Sequence, residues 1–325
     1  MRELTIAVAQ AVSFPGETDV NLKLLQQLVG ESMQQNADLL CLPEAFLTGY
    51  NRQLARDIAL DAHDSRLTTV EAIARETGMA LSFGYIERNP DEARPFVTHV
   101  VTDGTRRLVY RKTHLGPHEQ DFFTAGNQLP VETIAGVRVG VHLCWEAHFP
   151  QVAATLRQRG AELLIAPFAC GLSGQRRRDA WMRVLPARAN DNGCYLAACN
   201  ALRPKSVAGT AENDASAGGF SKSGEPLDSF GKASTAVEHS TYNTLIEVNA
   251  AENDVLAGAD SIENGTLAGG GAIVFDPKGV VIAECFSSEN TLIVASLPGP
   301  LPREANEERM GALSYFNHRR PELYE

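Results

Sequence analysis

Three short stretches carry side chains that can do chemistry together: LCLPEAFLTGY with Glu44, YRKTHL with Lys112, and VGVHLCWEAHFP with Cys144. A cysteine thiolate is a strong nucleophile, but a free thiol with a pKa of ~8.5 is only slightly ionised at neutral pH. A carboxylate within hydrogen-bond reach can take the thiol proton, and a lysine ammonium can stabilise negative charge on the atom under attack. Glu44 is therefore the candidate general base, Lys112 the candidate charge stabiliser and Cys144 the candidate nucleophile. Singly, each has a plainer explanation. Glu44 can cap the turn after Pro43, Lys112 can be a solvated strand end, and Cys144 can be a small buried hydrophobe. It is their joint occurrence, each at the end of an expected strand, that points to chemistry.

Two rival constellations use the same segment. His142, Cys144, Glu146 and His148 alternate, and on an extended strand they would share one face as zinc ligands. The strand is expected to end near Cys144, however, and no CxxC or HExxH motif accompanies them. A protease-like cysteine–histidine triad with His142 or His148 as base is disfavoured too. Adjacent strand positions face opposite ways, and positions two apart point away from a shared line of attack. The chemistry of Glu44, Lys112 and Cys144 requires no metal or organic cofactor.

The elements that must position these residues alternate between β-branched runs and helical patterns. Strands are expected at Leu4–Gln10, Ala37–Leu42, Ala80–Glu87, Phe96–Thr102 and Arg107–Lys112, the last two joined by the hairpin signal Asp103-Gly104. Further strands are expected at Val137–Cys144, Glu162–Pro167, Cys194–Asn200, Ala272–Asp276, Val280–Cys285 and Thr291–Leu297. Helices are expected at Asn21–Gln35, Ser65–Thr77 with Gly78 as its cap, Gln151–Gly160 and Arg178–Asn190. So many strands with so few helices suit two sheets packed face to face with helices outside. A Rossmann fold fails, because no G-x-G-x-x-G follows the first strand. Residues 201–268 break the rhythm, being rich in Ala, Gly, Ser, Asn, Asp and Glu; within them only Tyr242–Val248 resembles a strand. The tetrapeptide NTLI recurs at Asn243–Ile246 and Asn290–Ile293 without matching surroundings, so it is read as coincidence.

Composition narrows the partners. The 325 residues are 44 % hydrophobic, and 29 basic against 40 acidic side chains leave a formal charge of −11 with a pI near 5.3. Such a surface repels phosphate backbones and anionic lipid, which argues against nucleic-acid or membrane binding. The dense basic cluster Arg176-Arg177-Arg178 reads as a solvated helix start, with a substrate carboxylate as the functional alternative. No apolar run reaches the ~18–20 residues needed to span a bilayer. Six scattered cysteines, mostly within apolar runs, suit reduced thiols and a cytoplasmic protein.

Glu44, Lys112 and Cys144, in this order and each in its own local context, resemble the nitrilase (carbon–nitrogen hydrolase) superfamily. The resemblance covers residues 1–200 and resumes at Gly269–Pro298. It implies an α/β fold, a four-layer α-β-β-α sandwich, formed by one domain over residues 1–325 with an atypical insertion at about 201–268. It implies a homodimer or higher homo-oligomer and a thiol hydrolase that cleaves a non-peptide carbon–nitrogen bond of a small amide. Lys112 and the backbone N–H of Trp145 would stabilise the developing charge, and Glu119, in the loop GPHEQDFFTAG, would orient the substrate amino group and polarise Glu44 or Lys112. Glu146 would be a buried hydrogen-bonding partner, and Cys170, after PFA at a strand end, is expected to pack, with lining the same pocket as the alternative. Nitrile hydrolysis and N-carbamoyl cleavage are the alternatives. An inactive homologue serving as an interaction module is disfavoured because all three residues are present. The insertion is expected to act as a lid or an oligomer contact.

Overall fold

The computed structural model describes residues 3–204, 240–241, 267–298 and 320. The first sheet contains β1 (Leu4–Gln10), β2 (Leu39–Cys41), β3 (Ala80–Glu87), β4 (Phe96–Thr102), β5 (Arg107–Arg111), β11 (Ser240–Thr241) and β15 (Thr291–Leu297), in the order β11-β15-β1-β2-β3-β4-β5. The second contains β6 (Val131–Ile134), β7 (Val137–Val141), β8 (Leu163–Phe168), β9 (Tyr195–Asn200), β13 (Ala272–Phe275) and β14 (Val281–Cys285), in the order β14-β13-β9-β8-β7-β6. A short ladder pairs β10 (Leu202–Pro204) with β12 (Leu267–Gly269). In each sheet three parallel strands, β1-β2-β3 and β7-β8-β9, are flanked by antiparallel ones.

Period-two alternation explains the layers. On β1, Leu4, Ile6 and Val8 enter the core between the sheets, while Ala7 and Ala9 face the opposite way. On β8, Leu163 and Ile165 join the inter-sheet core, whereas Leu164, Ala166 and Phe168 join the outer one. Helices α1 (Thr18–Gln34) and α3 (Ser65–Thr77) cover the outer face of the first sheet through Leu25, Leu28, Leu67 and Val70. Helices α4 (Pro150–Gln158), α5 (Gly174–Met182) and α6 (Leu185–Asn192) cover the second through Val152, Leu156, Trp181 and Leu185. The result is the four-layer α-β-β-α sandwich. Gln10 ties the sheets: its Oε1 accepts the N–H of Gly271 at 2.6 Å, and its Nε2 donates to Ser287 Oγ and to the Glu289 carbonyl.

Several boundaries differ from the sequence reading. The expected helix Arg178–Asn190 is two helices, broken at Arg183–Val184 because Pro186 has no N–H and its ring crowds the carbonyl four residues earlier. The strand expected to reach Cys144 stops at Val141, and Cys144–His148 forms a 3₁₀ turn. Strand β6 was not expected. The strand-like Tyr242–Val248 and nearly all of the expected insertion lie outside the described residues.

Helix α3 shows how local sequence sets an end. Asp64 accepts the N–H of Arg66 at 2.9 Å, and Gly78 closes the helix in the left-handed conformation at φ +70°. Asp64→Ala is expected to lower the unfolding free energy by about 1 kcal/mol, read from the urea midpoint, with an unchanged midpoint counting against the cap.

Candidate active site

Each site residue sits where chain leaves a sheet. Beyond β2, the N–H of Leu42 donates to the Ser82 carbonyl and that of Leu47 to the Gly84 carbonyl, so residues 43–46 loop out over β3 carrying Glu44. Ala45 adopts φ +52°, and a Cβ on Gly84 would lie 2.4 Å from its backbone nitrogen, so only glycine lets the loop descend this far. Lys112 follows β5, pinned through its N–H to the Val97 carbonyl and through its own carbonyl to the Gly126 N–H. Cys144 opens the 3₁₀ turn at φ +44°, a conformation that costs an L-residue about 1–3 kcal/mol and persists only where its surroundings enforce it.

The enforcing group is Glu146. Its Oε2 accepts the Leu143 N–H at 2.7 Å; its Oε1 accepts the N–H groups of Thr113 and His114 and the hydroxyls of Thr113 and Tyr110 at 2.5–3.0 Å. One carboxylate thus ties the Cys144 turn to the residues just after Lys112. Burial alone would raise its pKa. The hydrogen bonds from His114, Leu143, Thr113 and Tyr110 prevail and hold it at about 2.

Glu44, Lys112 and Glu119 meet in the interior. Lys112 Nζ lies 2.9 Å from Glu44 Oε1 and 2.8 Å from Glu119 Oε1, with Lys112 only 1 % and Glu44 2 % exposed. Glu119 is further held by the Tyr50 hydroxyl at 2.6 Å and the Gly116 N–H at 2.6 Å. The two carboxylates consequently behave differently. Burial raises both, but Lys112, Tyr50 and Gly116 hold Glu119 below its ordinary value. Glu44 is raised to about 7, chiefly by burial, against the pull of Lys112 and with the repulsion of Glu119. Burial disfavours the Lys112 ammonium, yet the two carboxylates lift it well above an ordinary lysine, so it stays charged.

Cys144 faces a second thiol. Its Sγ is 3.3 Å from that of Cys170, which the sequence reading assigned to packing. Asn200, the last residue of β9, clamps Cys170 from both sides: Oδ1 accepts its N–H at 2.8 Å and Nδ2 donates to its carbonyl at 3.0 Å. The hydrogen bond with Cys170, burial and the negative field of Glu44 push the Cys144 thiol up, with Lys112 opposing. Cys144 is thus held as a neutral thiol in the field of a carboxyl whose pKa is raised to about 7. Trp145 supplies a backbone N–H in the first turn of the 3₁₀ helix, where such groups lack helical partners.

The structure therefore gathers Glu44, Lys112 and Glu119 directly and sets Cys144 within their field. Tyr50 and Asn200 were missed; the available signals were a tyrosine closing the Glu44 loop and an asparagine ending an apolar strand. The alternating zinc face does not form, because the strand ends at Val141. His142 is buried with neither ring nitrogen hydrogen-bonded, so it does not serve Cys144 as a base. The three arginines of the basic cluster part ways. Arg178 pairs with Glu284 at 2.9 Å, Arg177 stacks over Phe168 and Trp181, and Arg176 is exposed.

The family model for carbon-nitrogen hydrolase matches residues 5–305. The chain is 35 % identical over 205 residues, 62 % of its length, to a hydrolase in the pqqF 5′ region of Pseudomonas protegens. It is 35 % identical over 217 residues, 59 % of its length, to the deaminated glutathione amidase of Homo sapiens. It is 32 % identical over 192 residues, 55 % of its length, to a nitrilase of Pyrococcus abyssi. These alignments span 70 %, 63 % and 68 % of the relatives' own lengths. Among solved structures, the amidase of Nesterenkonia sp. AN1 superposes with a TM-score of 0.67 at 23 % identity, covering 99 % of this chain and 98 % of that one. That similarity supports the α/β sandwich fold. Among the described residues no helix is long and apolar enough to cross a membrane.

Glu146 ties acid stability to the site. Its folded pKa of about 2 lies below the ordinary 4.5, so its contribution is full above pH 4.5 and disappears as pH falls towards 2. Glu146→Gln is expected to lower the unfolding free energy at neutral pH by about 3 kcal/mol and to flatten the acid limb of stability. Urea titrations across that range check it; an acid limb identical to wild type would assign the stabilisation elsewhere.

Proposed function

Because the chain belongs to the carbon–nitrogen hydrolase family, we propose that it cleaves the non-peptide carbon–nitrogen bond of a small amide through a thioester on Cys144. Lys112 shared between Glu44 and Glu119 is the observation that carries this reading. Glu44 takes the thiol proton as Cys144 Sγ attacks the amide carbon. The oxyanion is stabilised by Lys112 Nζ and the Trp145 N–H, a donor set in which each member is worth about 3–4 kcal/mol. Glu44 then delivers its proton to the departing nitrogen, and ammonia or an amine leaves a thioester behind. Water hydrolyses the thioester as Glu44 accepts its proton, and the carboxylic acid is released with the thiol restored.

Two buried carboxylates favour amides over nitriles. An amide nitrogen carries N–H donors that Glu44 and Glu119 can accept, whereas a nitrile nitrogen offers none. Glu119, held by Tyr50 and Gly116, orients the amide nitrogen without giving up its own charge.

Ammonia release from a panel of small amides, nitriles and N-carbamoyl amino acids tests the reading. Amide turnover is expected, lost in Cys144→Ala and reduced about 10²–10⁴-fold in Glu44→Gln. Nitrile or carbamoyl turnover without amide turnover would replace the substrate class, and turnover retained in Cys144→Ala would remove the thioester.

A pH profile adds an independent check. The base must be ionised to act, so kcat/KM is expected to rise with pH through about 7 as Glu44 loses its proton. A profile flat from about pH 5 to 9 would transfer the base role to another group.

A further inference from the structure

The hydrolytic cycle makes no use of the Cys144–Cys170 contact, yet it is built into the fold. Cys170 stands two residues beyond the end of β8, and Asn200 fixes its backbone from both sides, so its thiol is held against that of Cys144 rather than left on a wandering loop. Cys144 and Cys170, like Cys285, are partly exposed as residues, whereas Cys41, Cys194 and Cys199 are buried. The 3.3 Å between the Cys144 and Cys170 sulfurs needs about one ångström of side-chain movement to reach the ~2.0 Å of a covalent S–S bond. In the proposed hydrolysis Glu44 draws a proton from Cys144 and Lys112 stabilises negative charge, and the same pair serves attack on any small electrophile that enters the site.

We propose that Cys170 is a resolving cysteine. A hydroperoxide oxidises Cys144, and Cys170 closes a reversible disulfide that halts turnover and keeps the nucleophile from irreversible over-oxidation. In the first step the Cys144 proton passes to Glu44 and the thiolate attacks the peroxide oxygen. The O–O bond breaks, and water leaves with a sulfenic acid on Cys144. In the second step Cys170 loses its proton and attacks Cys144 Sγ; the S–O bond breaks and a second water leaves. Two thiols and one hydrogen peroxide thus become one disulfide and two waters, and an added dithiol reverses the change. Without a resolving partner the sulfenic acid proceeds to sulfinic and sulfonic acids, which thiols do not reduce.

The proposal rests on the reading of Cys144 as a nucleophile, and the crosslink is read by mass, independently of amide turnover. The full chain is exposed to graded hydrogen peroxide, then digested without reduction for peptide mapping, in parallel with an amide-hydrolysis assay before and after dithiothreitol. Wild type is expected to lose two hydrogens, to yield a Cys144–Cys170 linked peptide, and to recover most of its starting activity on reduction. Cys170→Ser and Cys170→Ala, each compared with its own unoxidised activity, are expected to gain two or three oxygens on Cys144 and to recover several-fold less. Wild-type protein carrying oxygens on Cys144 with no linked peptide would overturn the proposal, as would equal recovery in the Cys170 variants. A linked peptide in a protein that hydrolyses no amide would uphold the disulfide while removing the amidase reading.

Discussion

One buried ammonium shared by two buried carboxylates governs this molecule. A single cation cannot satisfy two carboxylates equally when each also depends on its own neighbours. Glu119 has Tyr50 and Gly116 besides Lys112 and keeps its charge; Glu44 depends chiefly on Lys112 and feels both desolvation and the charge of Glu119. The imbalance holds one carboxyl below its ordinary value and raises the other to about 7. Two acids of one chemical type thus acquire two roles from their surroundings, a general route to acid and base assignments.

Holding that imbalance requires both sheets. Glu44 and Lys112 come from the first, Cys144 and Cys170 from the second, and the core between the sheets fixes their relative position. Glu146 is the fastener across the seam, bonding to Leu143 on one side and to Thr113 and His114 on the other. Left-handed backbone at Ala45 and Cys144 is tolerated because these surroundings overdetermine it. The site is therefore assembled by the sandwich as a whole.

Much of this was legible in the chain, for physical reasons that differ by residue. Strands β1, β3, β4 and β15 fall on their expected limits because apolar runs bounded by turn residues express burial directly. The end of helix α3 is legible from Gly78. Edge strand β6 escaped because only Ile134 of its four residues is buried. The end of β7 was misplaced because a positive φ at a cysteine is imposed by distant hydrogen bonds and leaves no mark in the local sequence. Glu44, Lys112, Glu119 and Cys144 stood out by type and context. Tyr50 and Asn200 did not, since their roles arise from contacts 69 and 30 residues away in the chain.

The pairing of β1 with both β2 and β15 bears on how the protein is made. A ribosome delivers the first strand and the strand bearing the Glu44 loop early, but the register Leu4↔Leu297 to Gln10↔Thr291 closes only after residue 297 has emerged. Until then β1 is an open edge whose N–H and C=O groups can template another chain. Growing chains crowded on one message thus expose this seven-residue strip to one another until synthesis supplies its last neighbour.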